Sequence, residues 1–215
     1  MSDQLEKYVD IIFDKIYRKF KKLGYVEIEA SGRHVHLTRA VIDKLFGKDY
    51  KLTKIKALSQ PGQFVCKERV TLKGPKGQLQ NVVVLGPERD KPQIEVSKTD
   101  AKILGINAPV KASGKTQGTP GLEISANGKM LHLNEGVLVA ERHIHMSMED
   151  ADNLFFKDGD RVDVEIFTDR PMMFKNVKLR VSEHFDTYMH IDYDEANACN
   201  LQGRMLGLIV KNPKN

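Results

Sequence analysis

Between Asp3 and Leu23 the apolar residues Leu5, Tyr8, Val9, Ile12, Phe13, Ile16, Tyr17 and Phe20 recur at spacings of three and four. That period predicts an amphipathic helix, with Arg18, Lys19, Lys21 and Lys22 complementing its C-terminal dipole and Gly24 as its stop. A helix packed on its own domain is the expectation, ahead of a dimerisation or targeting helix and a membrane-surface helix. After Gly24 the period falls to two. Tyr25 to Ala30 alternates like a strand and runs into Arg33-His34-Val35-His36-Leu37-Thr38. Thr38 caps a helix through Phe46, and strands follow at Leu52 to Ala57, Gln63 to Lys73, Leu79 to Gly86 and Gln93 to Ser97. Gly74-Pro75-Lys76-Gly77 is the turn between the second and third of these. Thr99-Asp100 opens a short helix ending at Gly105, and Lys111 to Gly121 is linker-like.

The second half repeats the idiom. A hairpin at Asn127-Gly128 leads through Met130 to Ala140 into Arg142-His143-Ile144-His145-Met146-Ser147, where Ser147 caps a helix through Phe155. Strands are expected at Arg161 to Phe167, Asn176 to Ser182 and Tyr188 to Asp192, then a helix from Asp194 to about Leu201. One offset relates His34 to His143, Thr38 to Ser147, Asp43 to Asp152, Leu45 to Leu154 and Phe46 to Phe155. A slightly smaller offset relates Asn81-Val82 to Asn176-Val177, Val96 to Ile191, Ala101 to Ala196 and Glu95 to His190. Two offsets separated by an insertion indicate an internal duplication of two β-rich units. The expected class is therefore mainly β with short helices, an α+β chain.

The duplication selects candidate ligands. On a strand, His-x-His puts both imidazoles on one face, and each unit adds a later strand residue at an equivalent position. One site is expected from His34, His36 and Glu95, and another from His143, His145 and His190. All are zinc-binding residue types, and three protein ligands describe a catalytic zinc site better than a structural one. His132 and His184 have no counterparts and are read as structural or surface residues. Glu149 gives the second stretch a near-match to a cupin motif, but Ala40 stands there in the first copy. Neither copy has the Asp-His pair that follows His-x-His in metallo-β-lactamase-type hydrolases.

Composition narrows the rest. In 215 residues, 40% are hydrophobic and 29% charged, and no apolar run approaches the roughly 20 residues a membrane span needs. No signal peptide and no membrane association are expected. The formal net charge of +5 favours anionic ligands, but the excess is spread along the chain rather than gathered for nucleic acid. Gly114-Lys115-Thr116 is not a P-loop, because Pro109 stands where that motif needs Gly. Cys66 and Cys199 fit a reducing compartment and are read as buried structural thiols.

With these residues assembled, the chain resembles the propanediol-utilisation type of phosphotransacylase, the PduL family of phosphate acyltransferases, from about Tyr25 to Lys211. The resemblance rests on Ser31-Gly32-Arg33-His34-Val35-His36-Leu37, Gly86-Pro87-Glu88-Arg89, Gln93-Ile94-Glu95-Val96-Ser97, Ile106-Asn107-Ala108-Pro109, Gly118-Thr119-Pro120-Gly121, Arg142 to Ser147, and His190-Ile191-Asp192. It implies reversible transfer of a short acyl group, acetyl or propanoyl, between coenzyme A and inorganic phosphate at a dinuclear zinc centre. The family's metal ligands fall on the six residues above and its phosphate-binding arginine on Arg89. A binuclear zinc hydrolase with the same ligands is the alternative. The resemblance also implies two similar β-barrels with the first strand exchanged: an N-terminal helix at 1–24, one barrel from 25–32 with 141–211, and the other from 33–140. A cytoplasmic enzyme is expected; the family also includes microcompartment proteins with a targeting helix. A homodimer and microcompartment association are both compatible with the sequence.

Overall fold

A computed structural model describes residues 3–211; Met1 and Ser2, at the head of the expected 1–24 helical segment, lie outside them. The chain divides into two compact units: residues 1–29, 142–190 and 197–215 form the first, and 30–141 with 191–196 the second.

The first unit opens with α1 (Asp3–Lys21), and β1 (Tyr25–Ser31) crosses from it into the second unit. The second unit continues through β2 (His34–His36), α2 (Arg39–Phe46), β3 (Lys54–Ala57), β4 (Phe64–Lys73), β5 (Gln78–Gly86), β6 (Gln93–Glu95) and α3 (Lys98–Leu104). It ends with β7 (Val110–Lys111), β8 (Leu122–Ala126), β9 (Lys129–Leu133) and β10 (Val137–Ala140). The first unit then resumes with β11 (His143–Met146), α4 (Met148–Leu154), β12 (Arg161–Ile166), β13 (Met172–Val181) and β14 (Tyr188–Asp192). After α5 (Tyr193–Ala198) it closes with β15 (Met205–Val210). The chain is mainly β with short helices, as its periodicity predicts.

In the first unit, β1-β14-β11-β13-β12-β15 form a closed barrel, which leaves no unpaired strand edge. Period two fills it: Val26, Ile28, Ile144, Met146, Val162, Val164, Ile166, Val177, Leu179 and Met189 are buried. The second unit is a nine-stranded sheet, β7-β10-β6-β2-β5-β4-β8-β9 with β3 on β4, curled as a half-barrel rather than closed. Its core gathers Val35, Leu37, Ile42, Leu45, Leu72, Val82, Val84 and Ile94.

Several local expectations change. Ser97, not Thr99, caps α3, through a capping box in which its Oγ accepts from the Asp100 N–H while Asp100 accepts from the Ser97 N–H. The stretch that leads from the Asn127-Gly128 hairpin to Ala140 is two strands, parted at Asn134–Gly136, where a Cβ on Gly136 would meet the Pro92 carbonyl oxygen at 2.9 Å. The linker-like stretch 111–121 is an ordered loop of the second unit: Thr116 and Thr119 are buried, Thr119 Oγ1 donates to the Thr116 carbonyl, and the Gly136 N–H donates to Thr119 Oγ1. Helix α5 starts at Tyr193 and stops at Ala198. Both cysteines are buried, and burial pushes the Cys66 thiol up to about 11.

Helix α1 meets the barrel through one edge. Arg204 on the loop before β15 donates through Nε and Nη2 to both oxygens of buried Glu27, and through Nη2 to Asp14, while its guanidinium lies 3.9 Å from the Phe13 ring centroid. Tyr17 accepts from the Glu27 N–H and donates to the Thr187 carbonyl, and Lys21 pairs with Asp150. Tyr8, Val9, Ile12 and Ile16, half of the predicted apolar stripe, stay exposed. Among the described residues no helix is long and apolar enough to cross a membrane.

Replacing Arg204 by Met strands the Glu27 carboxylate, whose side chain is 7% exposed, and is expected to cost about 2 kcal/mol in urea unfolding. Asp14→Asn removes only an exposed partner and is expected to cost under ~1 kcal/mol.

Candidate metal centres

Both triads are products of strand register. Strand β2 runs parallel to β5 and antiparallel to β6, which sets His34 opposite Glu95 and His36 opposite Gln93. In the other unit, β11 runs parallel to β13 and antiparallel to β14, which sets His143 opposite His190 and His145 opposite Tyr188. The intervening Val35 and Ile94, or Ile144 and Met189, face the core, so the polar side chains share the opposite face.

In each unit the three candidate ligand atoms lie within 4.8 Å of one another: His34, His36 and Glu95 in one, His143, His145 and His190 in the other. His34 Nδ1 is 2.8 Å from the Gly32 carbonyl oxygen, which can only accept, so the proton sits on Nδ1 and the Nε2 lone pair is left for the triad. That Nε2 is 3.6 Å from Glu95 Oε2. His36 Nδ1 is buried and has no hydrogen-bond partner, a cost that a bound cation would remove. Two imidazoles with a carboxylate, and three imidazoles, are donor sets that suit zinc. The residues therefore fit a metal at each triad.

The charges at this triad favour a cation between Glu95 and its imidazoles, a proton or a metal ion. Burial works against protonating His34, but Glu95 and the Gly32 carbonyl outweigh it and hold its pKa above the usual histidine value. Burial, the neighbouring His34 and the Arg89 charge push His36 down to about 2. Burial raises the Glu95 pKa, yet His34, His36 and Ser113 overcome it and keep the carboxyl well below its usual range. A neutral His36 and an ionised Glu95 are the ligand forms a cation takes. In the other triad, His143 and His145 are buried, the imidazole centroids are 4.6 to 5.2 Å apart, and Phe185 covers His145 at 4.2 Å. Glu29 Oε2 lies 3.8 Å from His190 Nδ1, at the outer side of that ring.

Arg89 is half-buried in the loop after β5, where its N–H donates to the Leu37 carbonyl. Its charge acts on both His34 and His36, so it stands beside that triad. His132, His184 and Glu149 are exposed and belong to neither group. Sequence reasoning missed Gln93 and Ser113, which both hydrogen-bond to Glu95 Oε1. Gln93 was open to discovery, since it stands two positions from Glu95 on one strand and shares its face; Ser113 comes from a loop with no period.

Each of the two β-rich units presents a triad of metal-binding residue types on the face of its sheet opposite the core. The comparisons supply the family. The family model for phosphate propanoyltransferase matches residues 27–202. Relatives named phosphate propanoyltransferase are 53% identical over 209 residues in Enterococcus faecalis, covering 97% of this chain and 98% of the relative. The one in Clostridioides difficile is 49% identical over 207 residues, with 96% and 99% covered, and the one in Thermotoga maritima 44% over 198 residues, with 92% and 94% covered. The chain belongs to the phosphate propanoyltransferase family and is an acyltransferase.

A metal-free preparation is expected to take up two divalent ions per chain in equilibrium dialysis, and His36→Ala or His145→Ala to take up one. Two ions retained in His36→Ala would remove that residue from the ligand set.

Proposed function

We propose that this enzyme moves a short acyl group reversibly between coenzyme A and inorganic phosphate, with one zinc ion held by His34, His36 and Glu95 and a second by His143, His145 and His190. The observation that carries the reading is the convergence of all six residues into two compact donor triads in a chain of this family. The relatives' name supplies phosphate and propanoyl, and the sequence resemblance supplies coenzyme A and zinc.

In the forward direction a phosphate oxygen attacks the thioester carbonyl carbon, a C–O bond forms, the C–S bond breaks, and the sulfur leaves with the electron pair as coenzyme A thiolate. Bound zinc would supply Lewis acidity toward the carbonyl oxygen and affinity for thiolate. The chain's own task is to gather anions. Arg89 offers a planar fork that can hold phosphate through two parallel hydrogen bonds and offset its charge as it approaches the carbon. The Glu95 triad carries a carboxylate and the other is all imidazole, so with the same cation bound the two sites would differ in net charge. On this reading zinc at His34, His36 and Glu95 would supply affinity for the sulfur, and zinc at His143, His145 and His190 would supply the more positive site for phosphate or water.

No enzyme nucleophile is required. Cys66 is buried with a raised pKa, and Cys199 is buried as well, which argues against either thiol forming an acyl-enzyme.

The test is zinc analysis coupled to thiol release from propanoyl-CoA with phosphate as the variable. Release is expected only with phosphate, and equal release in water alone would identify a hydrolase instead. Arg89→Ala is expected to raise the phosphate KM and lower kcat, by about 10-fold or more in kcat/KM for one charged hydrogen-bonding partner, with two zinc ions retained. Unchanged kinetics would take Arg89 out of the mechanism.

A further inference from the structure

The carboxylate of the second unit's triad is held by a closed hydrogen-bond circuit. Gln93 lies opposite His36 on β6 and is 1% exposed. Its amide orientation is dictated by its neighbours: the Gly114 N–H can only donate, so the Gln93 oxygen must face it, at 2.7 Å. The amide nitrogen is thereby turned toward Glu95 Oε1 at 2.5 Å and Ser113 Oγ at 2.9 Å, which uses both of its protons. Ser113 Oγ, having accepted from Gln93, sends its one proton to the same Glu95 Oε1 at 2.8 Å. Oε1 thus receives two donors, and Oε2 is the oxygen turned toward His34 Nε2.

This accounting gives each Glu95 oxygen a separate role. A carboxylate without the circuit could rotate about its terminal bond, present either oxygen, or chelate with both. With Oε1 committed to two donors, only Oε2 is free to bind a cation. The corresponding place in the other unit, opposite His145, holds Tyr188, which has no amide to build such a circuit.

We infer that Gln93 and Ser113 are positioning residues for the metal carboxylate: they fix Glu95 as a one-oxygen ligand through Oε2 and tie the 111–121 loop to the ligand shell. The inference rests on the metal reading above and extends it to two residues that do not themselves bind the ion. It also gives that loop a function other than linkage. Ser113 and Gly114 are joined through Gln93 to the ligand itself, so the loop cannot shift at these positions without breaking a bond to the carboxylate or to its amide support.

The experiment uses the full chain carrying His145→Ala, so that the Glu95 triad is the remaining site, and titrates it with zinc alone against a competing chelator. Adding Ser113→Ala or Gln93→Leu is expected to weaken zinc roughly 10- to 100-fold, the usual effect of losing an outer hydrogen-bond partner of a metal ligand. Ser113→Thr keeps the hydroxyl and is expected to bind as its parent does. In the reciprocal background, His36→Ala, the same substitutions should leave zinc affinity at the His143 triad unchanged. A structural defect would instead weaken both triads together, and that result would overturn the inference. Unaltered zinc affinity in both Ser113→Ala and Gln93→Leu would overturn it too, with the metal reading left standing. Absence of zinc binding in the His145→Ala parent and in the unsubstituted chain would remove the metal reading and this inference with it. Cobalt in place of zinc gives a second readout: its visible absorption bands should change on Ser113→Ala at the Glu95 triad and not at the other.

Discussion

Strand register is the constraint on which everything else in this protein depends. A three-residue strand, β2, is held between a parallel neighbour and an antiparallel one, and a single step of slippage would send Val35 to the polar face and both histidines into the core. The apolar side enforces the register. Val35, Val84 and Ile94 are fully buried, so slippage would exchange aliphatic burial for buried imidazole, which is unfavourable twice over. The same argument holds for Ile144 and Met189 around β11. The geometry of the two triads is thus inherited from hydrophobic packing on the other face of the same strands.

Much of this was legible because period two carries both facts at once: which residues reach the core, and which share the other face. His34 with His36, His143 with His145, and Glu95 or His190 on a later strand need nothing more than alternation and the repeated order. The pairing of Asn81-Val82 with Asn176-Val177 also has a physical counterpart. Both asparagines adopt left-handed backbone, at φ 58° and 60°, a conformation that Asn tolerates better than most residues. Each lies within a strand whose ladder carries a register shift.

What the sequence concealed was contact that no period encodes. The stretch 111–121 has the Ser, Gly, Thr and Pro content of a linker, but composition cannot reveal that Thr116 and Thr119 are buried, or that Ser113 reaches a carboxylate eighteen positions earlier. Helix α1 errs in the opposite direction. Its 3.6-residue period is real, yet amphipathicity states only that an apolar stripe exists, not what covers it. Arg204, Glu27 and Thr187 grip the edge marked by Asp14 and Tyr17, and Ile12 and Ile16 remain about half exposed. Polar anchoring from distant sequence therefore decided how the helix lies.

The two triads are alike in strand geometry and unlike in electrostatics, and the difference begins with one residue type. Glu95 is a carboxylate held ionised where His190 is an imidazole. A buried carboxylate needs donors, so Gln93 and Ser113 accompany it, whereas an imidazole N–H needs an acceptor, and Glu29 stands on the Nδ1 side of His190. One residue type at this position thus propagates outward: the carboxylate draws in an amide and a hydroxyl, and the hydroxyl draws in a loop. The two triads of this fold therefore differ in net charge although their strand geometry is the same.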